Sequence, residues 1–341
     1  MTAVGRQLRH RELGGSGVEV SELALGGAPL AGYGAPVREE DARAAVERAW
    51  QLGVRCFDTA PHYGIGLGER RLGAALADKP RAEYTLSTKV GRLLIPNEGA
   101  ALEGDDAAEG FPGLPATHRR EWDFSAAGVR RSLEESLERL GLDRVDLVLI
   151  HDPDDHEEQA FREAYPELER MRAEGTVGAI GAGMNQAAML TRFVRDTDVD
   201  AVLLAGHYSL LDQDGLAELL PAAAARGRSV IVGGVYNAGL LADPRPGGTY
   251  NYGPAPAPMV AKALRIKEVA ARHGVPLRAA ALAFPYGHEA VATVLVGVRS
   301  AAEAEDALRM FRHPVPAALW EELRAEGLLP AEAPVPGEER P

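Results

Sequence analysis

Hydrophobic and polar positions follow two rhythms along this chain. Short, nearly unbroken apolar runs occupy residues 23–27, 54–60, 84–91, 145–152, 177–183, 201–206, 229–234 and 293–298, most of them bounded by glycine. Runs of this kind predict strands buried on both faces, as in a parallel sheet covered by helices. Between them, apolar residues recur every three or four positions. Residues 38–53, REEDARAAVERAWQLG, carry acids in the first turn and stop at Gly53, a helix signature. Residues 125–143 begin at a capping Ser125 and place Val129, Leu133, Leu137 and Leu140 on one face. Eight strands with seven or more intervening helices predict an α/β fold, a (β/α)8 TIM barrel; an open doubly wound sheet is the alternative.

Three segments break the alternation. The first 20 residues read as a polar hairpin that would cap the barrel floor. Residues 92–123, rich in Gly, Pro and Ala, follow the third strand, and residues 242–258 follow the seventh. Both leave C-terminal strand ends, the face on which barrel enzymes build their sites. Residues 329–341 are rich in proline and charge and read as a disordered tail. Without an internal repeat or linker, residues 1–328 form one domain.

Composition narrows the function. A 341-residue chain with 46% hydrophobic and 26% charged residues can bury a large core. Its net charge of −13 argues against nucleic acid and anionic membranes as partners. The single Cys56 excludes an internal disulfide and a thiolate metal cluster; inside an apolar strand it reads as core, and no metal site is expected. The first residues contain no apolar signal segment and no uncharged run approaches ~20 residues, so a cytoplasmic location is expected.

Candidate chemistry sits at strand ends. Asp58, Lys89 and His151 close three successive apolar runs, and Tyr63 lies five residues past Asp58. Singly, each has a bland explanation: a helix cap, a solvated rim charge, a packing ring, a turn histidine. His62, likewise, reads as exposed. As a set they would face one opening. A free tyrosine titrates near ~10; an adjacent ammonium would lower that value and let Tyr63 exchange a proton with substrate, while His151 polarises the substrate oxygen. Gly64, Gly66 and Gly68 are spaced G-x-G-x-G rather than G-x-G-x-x-G, and read as a tight loop presenting Tyr63 rather than a dinucleotide fingerprint.

The stretches FDTAPHYGIGLGERRLG, STKVG, SLEESLERLGLDRVDLVLIHDPD and GVRSAAEAEDAL, in this order, resemble the signatures of the aldo-keto reductase superfamily across residues 11–308. Within it, TAPHYGIGLGE, VGRLL and LIHDPDD are most similar to the D-threo-aldose (L-fucose) 1-dehydrogenase branch, with pyridoxal 4-dehydrogenase a close relative. The resemblance implies a barrel that binds NAD(P) in extended form. It also implies a tetrad in which Tyr63 is the general acid/base, Lys89 and Asp58 tune it, and His151 orients substrate. Its implied cofactor contacts are Gly27, Asn185, Gly233, Gly234, Gly239, Leu240, Gly297, Arg299 and Glu303. Asn185 would hold the nicotinamide carboxamide, and Gly297 and Arg299 open a helix N-terminus suited to phosphate. The family's stacking tyrosine falls on Gly233 or Gly234, leaving Tyr236 or Tyr208 as substitutes, and its glutamine falls on Ala205. Glu303 stands where NADP-preferring members carry an arginine, so NAD is the expected cofactor, with NADP possible through Arg299.

The leading expectation is an NAD(P)-dependent oxidoreductase that converts C1 of an aldose to the lactone. With aromatic residues at 6% of the chain and Trp122 the one tryptophan in the two insertions, a small sugar or aldehyde suits the site better than a steroid. The chain would act as a monomer or small homo-oligomer. Alternatives are an aldehyde or ketone reductase or pyridoxal dehydrogenase on the same site, a Schiff-base aldolase at Lys89, and a non-catalytic cofactor-sensing subunit on the same fold.

Overall fold

Each of the eight apolar runs becomes a strand of one closed parallel barrel in a computed structural model, which describes residues 8–337. The strands are β1 (Leu23–Gly26), β2 (Cys56–Asp58), β3 (Thr85–Val90), β4 (Val145–His151), β5 (Val177–Met184), β6 (Ala201–Ala205), β7 (Ser229–Gly233) and β8 (Val291–Gly297). Each pairs with its sequence neighbours and β8 closes onto β1, so the expected (β/α)8 barrel is the observed fold.

The strand pleat divides the apolar residues into two cores. Side chains alternate along a strand. Cys56, Leu147, Leu149, Ala179, Ala201, Leu203 and Ile231 fill the interior, while Phe57, Leu86, Val148, Ile150, Val202 and Val232 join the larger core shared with the helices. The helices expected from periodicity cover the outside. In α1 (Glu39–Gln51), Ala42, Ala45, Val46 and Ala49 are buried. Helix α2 (Leu67–Leu76) packs so closely on α3 (Ala126–Leu140) that a Cβ on Gly73 would lie 2.2 Å from the Leu140 carbonyl oxygen. At the start of α3 the Ser125 hydroxyl accepts the Gly128 amide at 3.0 Å, the cap anticipated there.

Below the barrel, His10–Glu12 pairs with Glu19–Ser21 in the expected hairpin, and its Leu13 and Val20 seal the interior from beneath. The Gly14 amide donates to Ser229 Oγ at 3.0 Å and Arg11 to the Val291 carbonyl at 3.0 Å, fastening the hairpin to the starts of β7 and β8. The rest of the expected floor segment, residues 1–7, lies outside the described residues. Above the barrel, residues 92–123 fold into two antiparallel pairs, Arg92–Pro96 with His118–Trp122 and Asp105–Asp106 with Phe111–Pro115. Thr249–Tyr250 pairs with Gly253–Pro254 in the second insertion.

The disordered tail expected from residue 329 is corrected over residues 329–337. Leu329, Ala333 and Val335 are buried in the main core, and Pro334 lies so close to Gly287 that a Cβ there would meet its carbonyl oxygen at 2.2 Å. Apolar residues spaced between prolines find a groove on the barrel wall, a pattern that average composition conceals. Residues 338–341 lie outside the described residues.

Candidate active site

The interior pleat, carried one step beyond the apolar layers, delivers the polar residues. Asp58 follows Cys56 by two positions and His151 follows Leu149 by two, so both face the barrel axis at its C-terminal mouth. Lys89 sits in register opposite Leu149 on β4. Asp58, Lys89 and His151 are 3%, 1% and 6% exposed. Buried charge must be paired, and here the pairing is close. Lys89 Nζ donates to Asp58 Oδ1 and Oδ2 at 2.9 and 2.7 Å and to the Thr59 carbonyl at 2.9 Å, and Ser87 Oγ donates to Asp58 Oδ1 at 2.7 Å.

Tyr63 joins them from the loop after β2. Gly64, Ile65 and Gly66 take φ of 59°, 54° and 74°, and the Gly66 amide donates to the Pro61 carbonyl at 2.8 Å, forming the tight loop expected from the alternating glycines. A Cβ on Gly68 would come within 2.9 Å of Thr59 Oγ1. Lys89 Nζ lies 4.7 Å from the centre of the Tyr63 ring, and the Tyr63 and His151 rings meet edge to face at 5.9 Å. The four expected residues therefore meet at one point.

Their protonation differs from expectation in one respect. Burial raises the Tyr63 pKa to about 12, and the opposing Lys89 charge does not overcome it, because Asp58 and Asp152 add to the increase. The lysine lowers the tyrosine as argued, but its paired carboxylate blunts the effect. Burial by itself would lower Lys89; Asp58 and Tyr63 more than reverse this and hold the ammonium above its ordinary value. Burial, with Arg92, Lys89 and His62 nearby, holds His151 well below the ordinary histidine range, a neutral ring whose Nδ1 has no hydrogen-bond partner.

Sequence reasoning missed the polar wall built by the first insertion. Arg92 lies 4.2 Å over the Trp122 ring and pairs with Asp152, which has a backbone φ of +42° and an Oδ2 3.5 Å from His151 Nε2. Arg120 pairs with Asp106 and donates from Nε to His62 Nδ1 at 2.8 Å. His62, expected to be exposed, has a side chain only 14% accessible. The available signal was arginine beside aromatic residues in a segment leaving a strand's C-terminal end.

Beside the tetrad, a cleft of about 910 Å³ runs from Asp58 and Tyr63 toward the helix Ala301–Phe311. Of the expected cofactor contacts, Gly27, Asn185, Gly234, Gly239, Gly297, Arg299 and Glu303 line it. Gly233 and Leu240 do not: Gly233 ends β7 against Leu203 and Ala205, and the Leu240 side chain is buried in the main core. Tyr208 is fully buried, 5.2 Å from Phe284, which removes it as a stacking platform, whereas Tyr236 lines the cleft. A Cβ on Gly234, with φ +64°, would lie 2.9 Å from the Gly206 amide nitrogen, so this backbone tolerates little but glycine there. Tyr33 and Tyr252, unanticipated, also line the cleft and meet edge to face at 6.5 Å.

The cleft fits a dinucleotide. Asn185 Nδ2 donates to the Ala205 carbonyl at 2.8 Å, fixing the amide beside the tetrad end. At the other end, Arg299 Nε is buried without a hydrogen-bond partner at a helix N-terminus, an orphaned cationic donor suited to phosphate. Arg299 Nη2 donates to the Tyr33 carbonyl at 3.0 Å, and Glu303 accepts the Arg299 amide at 2.8 Å.

A barrel of this order with Asp, Tyr, Lys and His converging at its mouth is the architecture of an NAD(P)-linked oxidoreductase, and residues 22–326 match the aldo/keto reductase family. The chain belongs to that family. It is 42% identical to D-threo-aldose 1-dehydrogenase of a Pseudomonas species over 318 residues, covering 92% of this chain and 96% of that protein. It is 39% identical to pyridoxal 4-dehydrogenase of Microbacterium luteolum over 335 residues, covering 94% and 97%. Among solved structures, the holo form of aldo-keto reductase AKR11C1 from Bacillus halodurans superposes with a TM-score of 0.75 at 26% identity, covering 98% of this chain and all of that one. Among the described residues no helix is long and apolar enough to cross a membrane, and no group of His, Cys, Asp and Glu could hold a metal ion.

Proposed function

We propose that this chain is an NAD-preferring dehydrogenase that oxidises C1 of an aldose, in its cyclic form, to the lactone. The observation that carries the reading is the polar cluster at the tetrad: the Tyr63, His151 and His62 rings lie 5.9–6.0 Å apart, with Arg120 bonded to His62 and Arg92 paired to Asp152 beside them, a concentration of polar groups suited to a hydroxyl-rich substrate. The similarity to an aldose 1-dehydrogenase over nearly the whole chain supports the same substrate class.

The residues divide the work as follows. The C1 hydroxyl docks between Tyr63 and neutral His151, which fixes the oxygen by hydrogen bonding. Tyr63 takes its proton, and the Lys89 ammonium stabilises the phenolate while Asp58 and the Thr59 carbonyl hold that ammonium in place. Burial of Asp58, Lys89 and His151 beside the half-buried Tyr63 restricts water at the proton transfer. A bound nicotinamide supplies the two-electron redox chemistry at the carbon. Asn185, Gly27 and Gly234 would hold its tetrad end, and Arg299 with the following helix N-terminus the phosphates. Glu303 beside Arg299 favours a free ribose diol over a 2′-phosphate, and the Arg299 guanidinium is already engaged by the Tyr33 carbonyl.

The same groups run in reverse would reduce an aldehyde. Pyridoxal is a second candidate, supported by the relative of that activity and by the Trp122–Phe124 stack at 5.8 Å near the mouth. An aldolase at Lys89 is disfavoured, since a nucleophilic amine must shed its proton and this ammonium is held by three hydrogen bonds. The test is reduced-nicotinamide formation with L-fucose, D-arabinose, L-galactose, L-xylose and pyridoxal, each with NAD and NADP. Turnover of at least one sugar, faster with NAD, is expected; turnover of pyridoxal alone would replace this reading.

A further inference from the structure

His62 has no place in the tetrad, yet its ring completes it. The ring centres of His62, Tyr63 and His151 are 6.0, 5.9 and 5.9 Å apart, a nearly equilateral triangle around the point where a substrate oxygen would dock. Arg120 fixes the chemistry of this third corner. Its Nε donates to His62 Nδ1 at 2.8 Å and its Nη2 to the His62 carbonyl at 2.8 Å. A guanidinium can only donate, so Nδ1 must present its lone pair and the ring proton must sit on Nε2. Arg120 is itself held by Asp106, at 2.6 Å from Nη2, with both side chains under a tenth exposed. Burial, together with Arg92, Arg120 and Lys89, lowers the His62 pKa to about 2, so the ring stays neutral throughout the working pH range.

This relay from Asp106 through Arg120 delivers one oriented N–H, and the His62 Nε2 has no hydrogen-bond acceptor among the described residues. A neutral ring whose lone pair is committed to Arg120 cannot serve as a general base. What remains is donation to a substrate oxygen. Tyr63 and His151 take the oxygen on the reacting carbon, and the third corner reaches the neighbouring one. We propose that His62 is a substrate-positioning residue whose Nε2–H donates to the hydroxyl on the carbon next to C1. The proposal rests on the aldose reading above. It gives the first insertion a function: Asp106 and Arg120, both within residues 92–123, set the tautomer that reads the sugar. An aldehyde lacking that hydroxyl would leave the donor unpaired, a penalty felt only when the site is desolvated.

The experiment compares kcat/KM for D-arabinose and for 2-deoxy-D-ribose, which lacks only the C2 hydroxyl, in the wild type and in His62→Phe. The wild type is expected to prefer D-arabinose, and His62→Phe to reduce that preference about tenfold, the size of one neutral hydrogen bond, by slowing D-arabinose more than the deoxy sugar. Arg120→Met retains the ring but frees its tautomer, and is expected to lose part of the same preference. Since Phe fills the ring volume, an equal loss on both sugars would indicate a packing role and overturn the proposal, as would an unchanged ratio. If the wild type oxidises neither sugar, the aldose reading is wrong and the proposal falls with it; if it oxidises D-arabinose and the ratio does not move, only the His62 assignment falls.

Discussion

Replacing Asp58 with asparagine isolates the electrostatics on which the site depends. The variant keeps the size of the side chain but leaves the Lys89 ammonium, 1% exposed, with the Thr59 carbonyl at 2.9 Å as its remaining strong acceptor. Removing one partner of a buried ion pair costs about 3–5 kcal/mol, because the surviving charge is left uncompensated. Unfolding entropy of roughly 2.1 cal/mol/K per residue over about 340 residues is ~0.7 kcal/mol/K, so the melting temperature should fall by about 4–7 °C. The pH dependence carries the sign. In the wild type Lys89 is held above its ordinary value, so the pair's contribution is fully present below ~10.4 and is lost only as pH rises through the raised value. In Asp58→Asn the opposing burial dominates and lowers the Lys89 pKa. The unfolded chain then binds more protons than the folded one between that lowered value and ~10.4, and the variant's deficit must shrink as pH rises. Urea unfolding of both proteins at several values between about pH 6 and 9 measures this directly. A loss below about 1 kcal/mol, or a deficit that stays constant or grows with pH, would refute the reasoning.

Three further outcomes are expected. Since burial raises Tyr63 to about 12 and oxidation needs its deprotonated form, kcat/KM for sugar oxidation should climb about tenfold per unit between pH 7 and 9, with no acidic limb from the neutral histidines; steady-state rates across that range check it. Gly73→Ala should destabilise by about 1–3 kcal/mol in thermal unfolding even though alanine is the better helix former, because its Cβ would sit 2.2 Å from the Leu140 carbonyl oxygen and force α2 and α3 apart. Glu303→Gln removes the carboxylate beside the Arg299 amide, and should improve KM for NADP relative to NAD by about tenfold in parallel titrations with the two cofactors.

What the sequence revealed and what it concealed follow from the same physics. The barrel was legible because strands buried on two faces must be short, apolar and bounded, and all eight such runs pair in order. Asp58, Lys89 and His151 were legible because a charge ending an apolar strand has no packing role there, and Tyr63 because the glycines after it have no fingerprint spacing. The opposite holds for residues 92–123. Strand pairs as short as Asp105–Asp106 with Phe111–Pro115 leave no periodic signal, and the pairing of Arg92 with Asp152 and of Arg120 with His62 joins positions about 60 residues apart. Tyr208 and Tyr236 could not be ranked from sequence, since only the turns after β6 and β7 decide that Tyr236 faces the cleft and Tyr208 the core. The effect of Lys89 on Tyr63 was read with the right sign but the wrong balance, because desolvation is a property of the folded surroundings.

The most direct test of the central claim, that Tyr63 moves the substrate proton in a site that also holds the nicotinamide, is Tyr63→Phe measured in two ways. The account predicts that NAD binding, followed by quenching of protein fluorescence, stays within a few-fold of wild type, while kcat for L-fucose or D-arabinose oxidation falls by about 10²–10⁴. Full activity in Tyr63→Phe, with cofactor binding intact, would contradict it.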